Sequence, residues 1–272
     1  MVVTDAAVER WLREDLGHHD VVNAVPGRTA GRLIATESGV IAGVEAATAV
    51  FEYLDVAVET SVSAGDHIDA DDLVMTVEGP AQAILRGERV AVNLVAHASG
   101  VATRTRQAVE TATAVREDVT VAATRKTTPG LRGLEKRAVA AGGGDTHRLD
   151  LSHAAMIKDN HIAEMGLPAA IEHIRERTSF MTPIEVEAES PAQARRAAEH
   201  DIDAVLLDNL SPADTETAVE AVTTTDPSVV TEASGGIDQD TLAAYAATGV
   251  DVISMGGLTH SAPALDCSFR TG

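Results

Sequence analysis

The chain has 272 residues, 44% of them apolar and only 2% aromatic, and 42 acids against 21 Lys and Arg give a formal charge of −21. That balance excludes a basic face broad enough to neutralise nucleic-acid phosphates, so no nucleic acid is expected as a partner. The apolar runs fall far short of the roughly 20 residues a membrane span needs, so no membrane is expected either. Met1-Val2-Val3-Thr4-Asp5 lacks the charged and apolar regions of a secretory leader, and Cys267 stands alone, as suits a reducing cytoplasm. An acid excess with almost no lysine resembles proteins from salt-rich cytoplasm, a halophilic habit in which carboxylates keep the surface hydrated.

A short helix is predicted over Val8–Leu16. A mixed region follows, with strand-like Arg32–Thr36, Gly39–Gly43, Val56–Val62 and Leu73–Val77, and a helix near Glu45–Leu54. Gly65-Asp66 and Gly79-Pro80 read as turns. From Ala81 to about Val115 the apolar spacing is helical, with a break expected at the small pair Ser99-Gly100. The first domain is placed at residues 1–105, with a C-terminal tail of about 264–272 as a candidate to pack on it. The second is placed at 106–272.

Beyond residue 105, short β-like runs alternate with helical segments, the signature of βα units. The runs are Val119–Ala123, Ala154–Ile157, Ile184–Ala188, Ala204–Leu207, Val229–Glu232 and Val250–Ser254. Helices are expected at Pro191–Glu199, Pro212–Val222 and Asp238–Ala247. Ser190-Pro191 and Ser211-Pro212 pair an N-cap hydroxyl with proline at the first helical position. A parallel barrel or a doubly wound sheet satisfies this pattern, and the number of units favours the barrel.

Each run ends in chemically distinct polar or glycine residues: Thr124-Arg125-Lys126, Lys158-Asp159-Asn160, Glu187, Asp208-Asn209, Ser234-Gly235-Gly236 and Gly256-Gly257. In β/α barrels those strand ends converge on the active site. Glycine pairs after the last two strands, with Ser234 and His260 nearby, suit an oxyanion such as phosphate.

All three lysines, Lys126, Lys136 and Lys158, fall within one window, and residues 125–161 carry +3 against −24 elsewhere. His147, His153 and His161 lie there too. The stretch is either a solvated basic helix or a site for an anion. Arginine suits bidentate capture of carboxylate or phosphate, and lysine acts as a compact charge. Lys158 also has the option of a Schiff-base nucleophile. Glu185, Glu187 and Glu189 share one face of a strand. They are either a solvated edge or, through Glu187 with Asp208, hard oxygen ligands for Mg²⁺ or its waters.

These residues, in this order, resemble the quinolinate phosphoribosyltransferase family, also called nicotinate-nucleotide pyrophosphorylase (carboxylating). The matching text is Glu88-Arg89 with Asn93, Ser99–Thr103, Thr124–Thr127 with Pro129-Gly130, Gly142-Gly143-Gly144 with His147-Arg148, and Ile157–His161. It continues through Glu185–Glu187, Leu207–Asn209, Ser234–Ile237 and Gly256–His260. The resemblance spans about residues 15–270. One departure lies in Glu14–Val22, where His19 replaces a usual glycine and Val22 a usual threonine.

The resemblance implies an α/β protein with an N-terminal open sandwich and an incomplete, seven-stranded β/α barrel. It implies a homodimer in which each N-terminal domain covers the partner's barrel mouth; whether dimers assemble further is left open. The implied glycosyl transfer converts quinolinate and phosphoribosyl pyrophosphate to nicotinate mononucleotide, pyrophosphate and CO₂ with Mg²⁺, a step of NAD biosynthesis. By the same resemblance Arg125, His147, Arg148 and Lys158 clamp the dicarboxylate, with Arg89 reaching across the dimer and Thr124 beside them. Lys126 meets the donor's phosphates, and Glu187 and Asp208 hold ribose hydroxyls and Mg²⁺. Ser234, Gly235, Gly236, Gly256, Gly257 and His260 cradle the 5′-phosphate. Lys126, Lys158, Glu187 and Asp208 are the implied catalytic residues.

Overall fold

The computed structural model describes residues 3–272; Met1 and Val2, which open the N-terminal stretch considered above, lie outside the described residues. In chain order the first elements are α1 (Asp5–Leu16), β1 (Arg28–Ala35), β2 (Gly39–Val40), α2 (Val44–Tyr53), β3 (Ala57–Thr60), β4 (His67–Ile68) and β5 (Leu73–Pro80). Next come α3 (Ala81–Thr113), β6 (Thr120–Ala122), α4 (Arg132–Ala141), β7 (Ala155–Ile157), α5 (Asp159–Met165), α6 (Leu167–Arg175) and β8 (Ile184–Ala188). The chain continues with α7 (Pro191–Ala198), β9 (Ala204–Asp208), α8 (Pro212–Thr225), β10 (Val230–Ser234), α9 (Leu242–Ala246), β11 (Val252–Ser254), α10 (Gly257–His260) and β12 (Cys267–Thr271).

The chain divides into two units that interleave along the sequence. The first takes residues up to Arg106, Thr127–Gly143 and Leu258–Gly272; the second takes Gln107–Lys126 and Gly144–Gly257. In the first unit a four-stranded antiparallel sheet runs in the order β12-β1-β5-β3, so the C-terminal strand pairs with the first one, Leu33 opposite Phe269. Strands β2 and β4 form a separate small ladder. Alternate residues of β1 and β5, such as Leu33, Ala35 and Val77, pack with Phe51 of α2 and Ile84 and Val95 of α3 in one apolar cluster. Phe51 and Ile84 are fully buried, and burying a side chain of that size contributes about 1.5–3 kcal/mol. Helix α1 starts where Thr4 Oγ1 accepts a hydrogen bond from the Ala7 N–H at 3.3 Å, the capping that a threonine at this position supplies.

Helix α3 is continuous, and the break expected at Ser99-Gly100 is absent. Close packing explains why small residues stand there. Ser99 Oγ accepts from the Ala42 N–H at 2.9 Å and donates back to the Ala42 carbonyl. A Cβ on Gly100 would lie 1.9 Å from the Pro263 carbonyl oxygen. The smallness admits another backbone; it does not interrupt the helix.

In the second unit six parallel strands run in the order β6-β11-β10-β9-β8-β7. Asp145 adds a single parallel bridge to Ala122 on the far side of β6. Counting that bridge, seven segments follow each other as a barrel would, and the side between Asp145 and β7 is unclosed. Period-two alternation sets the two faces. Ile184, Val186, Ala188, Val205 and Leu207 point outward into an apolar layer with Ala194, Ala197, Ala218 and Val222 of the helices. Ser190 and Ser211 cap α7 and α8 from their side chains, each followed by proline in the first turn.

Candidate active site

Many inward positions of these strands are polar, where a barrel of this kind usually packs branched aliphatic residues. They open on a cavity of about 500 Å³ lined by Thr124, Arg125, Lys126, His147, Arg148, Lys158, Glu187, Asp208, Ser234, Gly235 and Gly236. These eleven positions were expected here from the sequence, together with Arg89, Gly256, Gly257 and His260; the cavity gathers the eleven and not the last four. Gly256 and Gly257 follow β11 outside its lining. His260 ends α10 in the first unit, its Nδ1 2.7 Å from Ser261 Oγ. Arg89 lies on α3 in the first unit, its side chain 62% exposed and 4.0 Å from Glu88.

Register explains the gathering. Asp208 and Ser234 are direct partners in the β9–β10 ladder, and Glu187 pairs with Leu206, which in turn pairs with Glu232. Parallel strands bring equivalent ends to one rim, so residues about 20 apart in sequence become neighbours. At that rim Asn209 has φ 56°, its N–H donates to the Ser234 carbonyl at 2.9 Å, and its Nδ2 donates to Asp208 Oδ2 at 2.6 Å. Gly235 has φ 96°, and a Cβ there would meet Asn209 Oδ1 at 2.4 Å. Asparagine tolerates the left-handed region and glycine is at home in it. Ser254 Oγ donates to Ser234 Oγ at 2.9 Å.

The charges are arranged in opposed pairs. Lys158 Nζ donates to Glu187 Oε2, and Glu187 has a side chain only 9% exposed. The ion pair engages Lys158 Nζ with a carboxylate, which speaks against its serving as a Schiff-base amine. His147 Nε2 lies 2.8 Å from Glu232 Oε2. Burial lowers the pKa of Arg148, opposed by the Glu185 charge and assisted by Arg125; arginine remains a cation regardless. Burial, then the neighbouring Glu232 charge, pushes Glu185 up to about 9. Burial is the largest influence on Glu232 and would raise it, but the hydrogen bond and charge of His147 together with hydrogen bonds from Ser254 and Glu185 outweigh it, and its pKa is lowered. Two carboxylates this close do not both ionise readily, and here Glu185 holds the proton.

The glutamates on β8 are therefore not a solvated edge: Glu185 is 7% exposed and both it and Glu187 point inward. Glu189 lies beyond the strand and is exposed. The basic window resolves into different roles. Lys136 is 1% exposed on α4 in the first unit, away from the cavity lining. His161 Nδ1 accepts from the Lys158 N–H at 3.0 Å and caps α5, and His153 Nδ1 accepts from the Leu149 N–H. Only His147 of the three histidines lines the cavity.

Sequence reasoning passed over Glu232, Met156, Leu206 and Ser254, which also line it. Glu232 had a signal: a carboxylate in the middle of a β run buried on both faces breaks the apolar pattern such strands carry.

Comparison with known proteins shows the family of the chain. Residues 101–270 match the profile of the quinolinate phosphoribosyl transferase C-terminal domain, and residues 20–99 that of its N-terminal domain. The chain is 43% identical to a probable nicotinate-nucleotide pyrophosphorylase [carboxylating] of Methanothermobacter thermautotrophicus, covering 97% of each chain. It is 40% identical to the human nicotinate-nucleotide pyrophosphorylase [carboxylating], over 99% of this chain and 92% of that one. Among solved structures, NadC from Streptococcus pyogenes superposes with a TM-score of 0.91 at 37% identity, over 99% of this chain and 98% of that one. The Ehrlichia chaffeensis nicotinate-nucleotide pyrophosphorylase does so with 0.91 at 31% identity over all of both chains. With both halves matched in order and the relatives covered almost end to end, the chain belongs to the quinolinate phosphoribosyltransferase family.

Proposed function

We propose that the protein transfers a phosphoribosyl group from phosphoribosyl pyrophosphate to quinolinate, giving nicotinate mononucleotide, pyrophosphate and CO₂ in NAD biosynthesis. The observation that carries this reading is the concentration of Arg125, Lys126, His147, Arg148 and Lys158 around one cavity in a chain of net charge −21. A pyridine with two carboxylates and a donor with a pyrophosphate need that positive field. Arg125, His147, Arg148 and Lys158 bind the dicarboxylate, with Thr124 beside them and Lys126 toward the donor's phosphates. Ser234, Gly235 and Gly236, with Gly256 and Gly257, are assigned to the 5′-phosphate.

The chemistry asks for positioning and charge stabilisation more than for a nucleophile. The ring nitrogen's lone pair forms the bond to the ribose anomeric carbon as the bond to pyrophosphate breaks. Glu187 and Asp208 orient the ribose hydroxyls and face the positive charge developing on the sugar. The alkylated nitrogen is then cationic, so the ring accepts the electron pair left when the adjacent carboxylate departs as CO₂, and that carbon takes up one proton. Glu187 and Asp208 are also hard oxygen donors lining the same cavity, a donor set that fits Mg²⁺. When bound, that ion would neutralise charge on the pyrophosphate leaving group.

A homodimer with Arg89 supplied by the partner, assembly beyond it, a cytoplasmic location and adaptation to high salt belong to the same reading. The acid excess supports the last. No helix among the described residues is long and apolar enough to cross a membrane.

The deciding assay is release of labelled CO₂ from carboxyl-labelled quinolinate, dependent on the phosphoribosyl donor, with nicotinate as the control acceptor. Turnover of nicotinate and none of quinolinate would remove the proposal.

A further inference from the structure

A second cavity, of about 320 Å³, opens at the unclosed side of the barrel, where Asp145, His153, Ala154 and Ile184 line it. Three residues line both this cavity and the larger one: His147, Arg148 and Glu232. Glu232 is 4% exposed, so it forms part of the partition between them. Its Oε2 makes the 2.8 Å contact to His147 Nε2, and Glu185 lies against the same carboxylate, within 4.8 Å.

The contact matters because little else holds the His147 ring. Its Nδ1 is buried and unpartnered, so Glu232 supplies the ring's hydrogen bond. The backbone of His147 is left-handed, φ 50°, with its N–H donated to Asp145 Oδ1. That conformation aims the side chain inward from the bridge segment, but it does not fix the ring's rotation. Arg148 Nε is likewise buried without a partner, and Arg148 and Glu232 line the same two cavities.

We propose that Glu232 is a positioning residue for acceptor binding: it fixes the His147 ring and lies beside Arg148, so that both side chains keep the orientation in which they line the acceptor site. The carboxylate–imidazole contact sets which ring nitrogen faces the cavity, as outer partners do for ligating histidines. The assignment rests on reading the cavity as a quinolinate site and names a residue that acts through its clamp.

The test varies quinolinate and the phosphoribosyl donor separately in Glu232→Gln. The KM for quinolinate is expected to rise about tenfold or more, as for loss of one charge-assisted hydrogen bond. The KM for the donor should stay within about twofold. Calorimetric Kd values for quinolinate then compare Glu232→Gln in wild-type and His147→Gln backgrounds. Because the ring it holds is gone, the second substitution should add little there. A parallel rise in both KM values, unchanged KM values, or fully multiplicative losses in the double variant would overturn the assignment. Should Glu232→Gln not fold, Glu232→Asp, whose carboxylate is too short for the 2.8 Å contact, is read by the same two measurements. Wild-type protein that turns over no quinolinate sinks the functional reading itself, whereas an active wild type with unmoved variants sinks only this one.

Discussion

Lys158 donates to Glu187 across the ends of the neighbouring parallel strands β7 and β8. Each charge is thereby kept from an unpaired, half-buried state before any ligand arrives. Under the proposed function, an incoming carboxylate would compete with Glu187 for Lys158 and free Glu187 for the ribose, which would couple acceptor binding to the acid that the donor needs.

Lys158→Ala and Arg148→Ala should each lower quinolinate turnover by at least about a hundredfold, since each removes a preorganised charge from the reacting centre. The Lys158 side chain is 48% exposed, so its loss should leave the fold intact, with the unfolding midpoint lowered only by the unpaired Glu187 carboxylate. Rates near wild type in either variant would contradict the site assignment.

Arg89→Ala should also inactivate the enzyme if that arginine is supplied by a partner. Mixed dimers of Arg89→Ala with Lys158→Ala subunits should then recover activity, because one of the two sites contains neither defect. No recovery in dimers verified by tagged co-purification would argue against a shared site.

Gly100→Ala should destabilise the protein by about 2 kcal/mol or more, although alanine favours a helix by about 1 kcal/mol over glycine. The added methyl would meet the Pro263 carbonyl oxygen at 1.9 Å, so backbone must move. Urea unfolding of the variant measures this, and a stabilised protein would contradict it.

Glu185 gives stability a pH dependence of definite sign. Its ordinary value of 4.5 is pushed up to about 9 by burial and by Glu232. Between those values the unfolded chain has lost this proton and the folded one keeps it, so stability contributed by the group falls as pH rises. Glu185→Gln removes that slope, and its stability relative to wild type should increase steadily from pH 5 to pH 9. A difference that stays flat across this range would mean that Glu185 is ionised in the fold. Glu232, with its lowered value, contributes in the opposite sense: its share is present above the ordinary carboxylate range and lost in acid.

Salt offers an independent check on the acid excess. Screening relieves repulsion among 42 acids, so activity and solubility should rise with KCl into the molar range. Loss of activity there would count against the halophilic reading.

Much of the site was legible because parallel strands buried on both faces read as apolar runs, and their polar endings stand out. Thr124-Arg125-Lys126, Lys158, Glu187, Asp208 and Ser234-Gly235-Gly236 were found that way. Ser99-Gly100 misled because a small pair is a break in an isolated helix and a contact surface in a packed one. Lys136 misled because charge along the sequence says nothing of which side of α4 is buried. Its neighbour Glu135, fully buried, hydrogen-bonds His97 at 2.9 Å, a partner 38 positions away that no local pattern announces.

By itself the sequence determined the alternation of strands and helices, the helix starts at Ser190 and Ser211, and the polar chemistry at each strand's end, since these follow from local periodicity and capping. Only the tertiary structure decided that Glu185 and Glu232 face each other inside the barrel, that one of them keeps its proton, and that His147 hangs from Glu232 beside an unclosed seam. Those facts depend on strand register and burial, which set distances and dielectric between residues up to 85 positions apart.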